Sequence, residues 1–334
     1  MKKSFFFGAL FLLLTACHQP ERPMISFYYW KTIFQLSPLE KSTLKDNQVQ
    51  KLYIRYFDID WNVKTNNPFP QSPIRFEEIP KEYTIVPVVY IKNKVFLNQN
   101  IDVLGLAQKT NDLIKQINTT NQISCQEIQI DCDWTLASRD NYLKFIECFK
   151  KISGKKLSST IRLHQIKYFK KTKIPNVDQG VLMYYNMGEI APDSLNSIYD
   201  RNVANRYLAS LKKYPLSINL ALPIYSWAIH IRDGKVIGLR NKIDVKSFKK
   251  DPNFVVKNQK WLIATTSNYK NGTFYKKGDL LKLEGITQDD LLEMADDLEE
   301  NTATLPAEII FYDLDEFNIK NYEKDFFKQI IARF

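Results

Sequence analysis

The stretch Glu127-Ile128-Gln129-Ile130-Asp131-Cys132 is a short, largely apolar run that reads as a buried strand. Residues 141–152 follow, with Tyr142, Phe145, Ile146, Phe149 and Ile152 on one helical stripe. Strand then helix is the unit that decides the fold. Runs of the first kind recur at 25–30, 51–57, 84–91, 157–163, 181–185, 216–222 and 308–312. They are rich in Ile, Val, Tyr and Leu, as strands buried on both faces are. Helical periodicity returns at 103–118, where Leu104, Ala107, Leu113, Ile114 and Ile117 lie near one face, and at 194–213. Eight strands alternating with helices predict an α/β fold, a (β/α)8 TIM barrel spanning 25–334.

Two connections are unusual. Residues 58–83 carry Pro68, Pro70, Pro73 and Pro80 and read as a structured loop. Residues 224–306 separate the seventh strand from the eighth. They hold strand-like pieces at 228–231, 235–239 and 261–264, a polar hairpin region at 268–278, and a helix near 287–300. Thr287 reads as the N-cap of that helix, with Asp289 and Asp290 in its first turn. This predicts a small α/β insertion above the barrel mouth.

Composition narrows the function. The chain has 334 residues, 44% hydrophobic, with only 10 Gly and 14 Pro, which excludes a disordered or collagenous protein. Four Cys exclude a disulfide-built miniprotein, and three His exclude a His-rich metal site. No Gly-rich phosphate loop and no Gly-x-Ser-x-Gly elbow is present. Cys132 reads as a small core residue; a Cys125–Cys148 disulfide stays open. Neither a cofactor nor a metal is expected.

Lys2 and Lys3 precede an apolar run from Phe5 to Leu14, too short for a membrane span and suited to a signal-peptide core. Leu14-Thr15-Ala16-Cys17 follows and resembles the lipobox of bacterial lipoproteins. The resemblance implies a signal peptide at 1–16, cleavage before Cys17, acylation of Cys17 with chains such as palmitate, and a tether at 17–24. No Asp stands second after Cys17, which points to the outer membrane of a bacterial envelope. The formal charge of +10 would suit nucleic acid in another compartment. Here the expected partners are the membrane, through the lipid on Cys17, and a polysaccharide or glycan, with no nucleic acid and a monomeric chain.

In such a barrel, chemistry gathers at the C-terminal strand ends. The first strand ends at Trp30. The second carries Arg55 and ends in Asp58 and Asp60. The fourth offers Asp131, Asp133 and Trp134, and the fifth Arg162, His164 and Gln165. Tyr185 and Asn186 end the sixth, Tyr225 and Trp227 follow the seventh, and Asp313 and Glu316 follow the eighth. Several acids among several rings suit a carbohydrate: rings stack on the apolar sugar faces, and acids bind hydroxyls or move protons. Tyr90 and Tyr312 also stand at strand ends.

Ile130-Asp131-Cys132-Asp133-Trp134 resembles the strand-four motif of family 18 glycoside hydrolases, the chitinases and their relatives, which runs Asp-x-x-Asp-x-Asp-x-Glu. Met183-Tyr184-Tyr185-Asn186 resembles that family's strand-six Met-x-Tyr-Asp. Ile128, Thr135 and Asn186 stand where the family has its first Asp, its catalytic Glu and its strand-six Asp. The resemblance implies that Asp131 and Asp133 line the floor of a sugar cleft, and that the family's proton donor is missing. Segments 160–165 and 221–227 also resemble a group of bacterial barrel lipoproteins, from which only a fold is implied.

Three readings follow. In the first the barrel hydrolyses a glycosidic bond, with Asp133 as general acid and Asp131 or Glu316 as its partner. In the second it binds an envelope or extracellular glycan without cleaving it. In the third it serves envelope assembly and uses its insertion as a partner surface.

Overall fold

A computed structural model describes residues 22–258 and 260–334. The expected signal peptide, the expected lipidation site Cys17 and most of the expected tether lie outside the described residues. Eight strands form the barrel: β1 (Met24–Tyr29), β2 (Lys51–Asn62), β3 (Thr84–Ile91), β4 (Glu127–Asp131), β5 (Lys156–Arg162), β6 (Gln179–Met183), β7 (Ile218–Pro223) and β8 (Glu308–Tyr312). Each pairs in parallel with its sequence neighbours, and β1 pairs with both β2 and β8, which closes the sheet. The expected TIM barrel is the observed fold.

The barrel lumen is packed with Tyr28, Tyr53, Val86, Val88, Val181, Met183, Tyr185, Ala221 and Ile310. Low in the lumen the polar groups pair with each other. Tyr28 Oη donates to Gln129 Oε1 at 2.7 Å, and Tyr53 Oη donates to Glu308 Oε2 at 2.6 Å. A second, larger core joins the outer strand faces to the helices. The helix Arg139–Ser153 buries Tyr142, Phe145, Ile146 and Phe149, the stripe its periodicity predicts. Cys125 and Cys148 are free thiols, and Cys132 is buried as read.

Strand β2 runs past the barrel rim. Its end, from Asp58 to Asn62, pairs antiparallel with Asn67–Gln71. Part of the expected structured loop is therefore a hairpin, whose prolines Pro68 and Pro70 sit on the outer strand, where a missing donor costs little.

The excursion between β7 and β8 also differs from expectation. Five of its strands form one antiparallel sheet ordered 235–241, 227–232, 280–284, 261–264, 254–258. The expected hairpin pairs Asn268–Lys270 with Thr273–Tyr275 as a sheet of its own, and one short helix, Val245–Lys249, lies among them. The inserted unit has its own core around Phe248, Phe254, Leu262, Tyr275 and Leu281. The helix Gln288–Asn301 does not belong to it. Thr287 caps that helix in a capping box. Its Leu291, Met294 and Leu298 bury into the barrel's outer core, against the helices Arg201–Leu208 and Phe326–Ile331. It is the barrel helix before β8, so the inserted unit is mainly β and ends before it.

Candidate functional site

The C-terminal strand ends surround a cavity of about 660 Å³, completed on one side by the inserted sheet. Its carboxylates are Asp131, Asp133 and Asp313; its cations are Lys31, Arg162 and Lys242. Aromatic rings form the wall. Tyr312 lies between Tyr185, stacked at 5.4 Å, and Trp30, tilted at 5.3 Å. Tyr225 stands edge-on to Tyr312 at 5.6 Å and meets Trp227 at 5.4 Å. Tyr90 completes the lining near Asp131 and Asp133.

The wall is held from behind. Trp227 Nε1 donates to Glu284 Oε2 at 2.8 Å, and Ser197 Oγ donates to the same oxygen at 2.5 Å. Lys282 Nζ lies 2.8 Å from Glu284 Oε1 and 2.8 Å from Asp193. Lys282 and Glu284 are both buried and lie on one strand of the inserted sheet, so what fastens that sheet to the barrel is Ser197 on Glu284 and Asp193 on Lys282. Across the mouth, Lys242 reaches Asp315 at 2.6 Å, and Lys31 pairs with Glu40 at 2.5 Å. Tyr225 Oη donates to Asn186 Oδ1 at 2.5 Å. Asn186 has φ 54°, a left-handed conformation that Asn tolerates better than most residues.

Asp131 and Asp133 differ sharply. Asp131 is fully enclosed and accepts a hydrogen bond from Thr160 Oγ1 at 2.7 Å. Burial, then the charge on Asp133, push its carboxyl up to about 6 against the opposing pull of Arg162. Asp133 is half-exposed and ion-paired with Arg162. The direct cation thus goes to Asp133, and Asp131 is the carboxyl whose burial favours the protonated form. Asp313 is a second such group. Burial and Asp315 raise it to about 6, although Lys242 and Lys31 oppose this, and Asn318 Nδ2 donates to its Oδ1 at 2.6 Å.

A second recess of about 340 Å³ adjoins the first, sharing Asp133, Arg162, Tyr185 and Asn186. His164, Met187 and Tyr207 line its far side, so His164 belongs to the same elongated cleft.

Other expected site residues are placed elsewhere. Trp134 is buried behind the barrel wall, stacked on Tyr142 at 5.3 Å. Gln165 is buried and local: its Oε1 accepts the Arg162 backbone N–H at 2.8 Å, and its Nε2 donates to the Trp134 carbonyl at 3.0 Å. Asp60 rides the β2 extension away from the mouth and pairs with Lys92 and Lys94, each at 2.6 Å. Arg55 and Asp58 pair with each other at 2.7 Å and do not line the cavity. Glu316 is exposed; its backbone N–H donates to Glu40 at 2.9 Å, and its side chain does not face the cavity. Thr135 is exposed and hydrogen-bonded to Ser138, outside the cavity. Cavity residues outside the predicted site are Lys31, Thr32, Tyr90, Met183, Ser226, Asn241, Lys242, Tyr312 and Asn318. The strand-end rule reaches Tyr90 and Tyr312; Asn241 and Lys242 arrive with the inserted sheet and carry no local signal. Among the described residues, no cluster of three His, Cys, Asp or Glu could hold a metal ion.

No family model matches the chain, and no curated protein is significantly similar to it. Solved structures share its fold. The spore cortex-lytic enzyme SleL of Bacillus cereus superposes with a TM-score of 0.57 at 13% identity, covering 94% of this chain and 75% of its own. A chitinase of Chromobacterium violaceum superposes with a TM-score of 0.54 at 11% identity, covering 93% of this chain and 99% of its own. At such identities the likeness is one of fold. The chain shares the closed (β/α)8 barrel of these proteins, the fold that its strand-four and strand-six motifs imply.

Proposed function

We propose that this chain is a glycan-binding barrel, held at a bacterial envelope by lipid on Cys17, which grips a glycan in its C-terminal cleft without family 18 hydrolysis. One observation carries the reading: five rings, Trp30, Tyr185, Tyr225, Trp227 and Tyr312, wall a cleft that also holds three carboxylates and three cations. Ring faces cover the C–H faces of a sugar, while the charged groups take its hydroxyls. The position of the family's catalytic Glu supports binding over cleavage. Thr135 there has no carboxyl, and it is exposed and bonded to Ser138.

A hydrolytic reading draws on the burial of Asp131 and Asp313 in the cleft, which pushes both carboxyls up to about 6. Such a carboxyl can act as a general acid. A single titration separates the two. Soluble chito-oligosaccharides and peptidoglycan fragments are added to the protein while indole emission is followed, since Trp30 and Trp227 line the cleft. Saturable change with no shortened products supports binding. Shortened products that vanish in Asp131→Asn favour hydrolysis, and no saturable change with any probe overturns both. The anchor is tested separately, by mass spectrometry of the N-terminal peptide for acylated Cys17.

A further inference from the structure

The N-terminal strand ends form a second face, at the opposite end of the barrel from the cleft. The turns that enter β3, β5 and β7 bring Lys81, Lys155, Lys156, Lys212 and Lys213 to it, and all except the half-buried Lys155 are exposed. The acids near them are few. They are Glu82, then Asp178, which is paired with Lys150 at 2.8 Å, and Glu127, which lies 3.7 Å from Lys156. The cleft, by contrast, balances three acids against three cations.

Where the chain enters β1, this face holds a recess of about 560 Å³ lined by Arg22, Lys51 and Lys328, among others. Ser26 Oγ, on its wall, is buried with no hydrogen-bond partner among the described residues. Lys51 there is ion-paired with Glu308 and Lys328 lies 3.4 Å from Asp325, so Arg22, beside the unsatisfied hydroxyl, is the cation that would meet a phosphate.

The path of the chain supplies the partner. Five residues lead from Cys17 to Arg22, and an extended chain covers at most about 18 Å in that length. A lipid on Cys17 thus keeps the lysine-bearing face close to the headgroups. Strands of five to eight residues, with β2 longer, then raise the cleft by roughly 17–26 Å more. Positive charge gains from an anionic leaflet only within about a Debye length, roughly 8 Å at physiological salt, which the tether permits.

We propose that this basic face docks on anionic phospholipid, with a headgroup phosphate seated in the Arg22–Lys328 recess, so that the cleft opens away from the membrane that anchors the chain. The inference rests on the lipid-anchor reading and adds an orientation to it.

The test is hydrogen exchange of the full chain on two kinds of vesicle, mixed phosphatidylglycerol–phosphatidylcholine and phosphatidylcholine alone. Slowed exchange is expected in the turns around Lys81, Lys155 and Lys212 on the mixed vesicles only, with the cleft segments 225–242 unprotected. The protection should be lost at high salt. It should also be lost in the variant Lys155→Glu, Lys156→Glu, Lys212→Glu, Lys213→Glu, whose binding to the cleft probes stays unchanged. Protection of the cleft segments, equal protection on both vesicles, or no protection overturns the proposal. Acylation of Cys17 is read in the same samples. An acylated chain without protection overturns the docking face alone, whereas a protected chain lacking acyl groups overturns the anchor alone.

Discussion

Arg162 gives its ion pair to the half-exposed Asp133 and leaves the buried Asp131, one pleat earlier, with the Thr160 hydroxyl at 2.7 Å. The two carboxylates alternate with Cys132, so both face the lumen side. Burial and mutual repulsion then fall on the member that lacks the direct cation.

Stability should therefore depend on pH through Asp131. Its folded-state value, about 6, lies above the unfolded value of about 3.9. Between these values the folded chain binds more protons than the unfolded chain, so stability falls as pH rises from about 4 to about 6. Asp131→Asn removes this penalty and keeps an acceptor for Thr160. It should be more stable than wild type by about 1–3 kcal/mol at about pH 7, with little difference near pH 4. Urea unfolding at the two pH values checks this. Wild type gaining stability across that rise, relative to the variant, would contradict the assignment.

The rings of the cleft should carry affinity. A sugar face covering roughly 60 Å² of apolar surface contributes about 1.5 kcal/mol. Trp227→Ala should thus weaken binding of a glycan probe about tenfold. Trp30→Ala should act in the same direction. Calorimetric titration measures both, with far-UV dichroism confirming the barrel. Wild-type affinity in both variants would show that the rings only fill space.

Trp134 should behave in the opposite way. It is 1% exposed and stacked on Tyr142 in the outer core. Trp134→Ala should cost about 3–5 kcal/mol of folding stability. In the fraction still folded, glycan affinity should stay at the wild-type level. Weakened binding with full stability would place the ring back in the site.

Trp134 also shows how far the sequence could be read. Alternation along strand four puts Ile130, Cys132 and Trp134 on one face and Asp131 and Asp133 on the other, so parity alone excludes Trp134 from the cleft. Its neighbourhood in sequence to Asp133 is what suggested otherwise. The strands themselves were legible because each is a short apolar run flanked by polar turns. Those at 84–91 and 308–312 match the observed β3 and β8 residue for residue. Asp60 misled because nothing local shows β2 outrunning the rim into a hairpin. Lys242 was unreadable for another reason: it reaches Asp315, 73 positions away, only because the inserted sheet folds back over the mouth.

That fold-back makes the last prediction. Glu284 is one of the joints between sheet and barrel, through Ser197. It accepts from Trp227 and Ser197 and pairs with the buried Lys282. Removing one member of a buried pair typically costs about 3–5 kcal/mol, because the other charge stays buried alone. Here Asp193, 2.8 Å from Lys282, retains part of that pairing, so the loss should fall below this range. Glu284→Ala should leave the barrel folded while loosening the sheet. Hydrogen exchange should quicken in strands 227–232 and 280–284 and stay slow in β3 and β4. With its indole N–H released, Trp227 should shift its emission to the red, and glycan affinity should fall with it. Glu284→Gln keeps an acceptor for Trp227 and should recover most of the emission but not the full stability. If exchange, emission and affinity all match wild type in Glu284→Ala, the sheet is held by its apolar contacts and the ion pair is incidental.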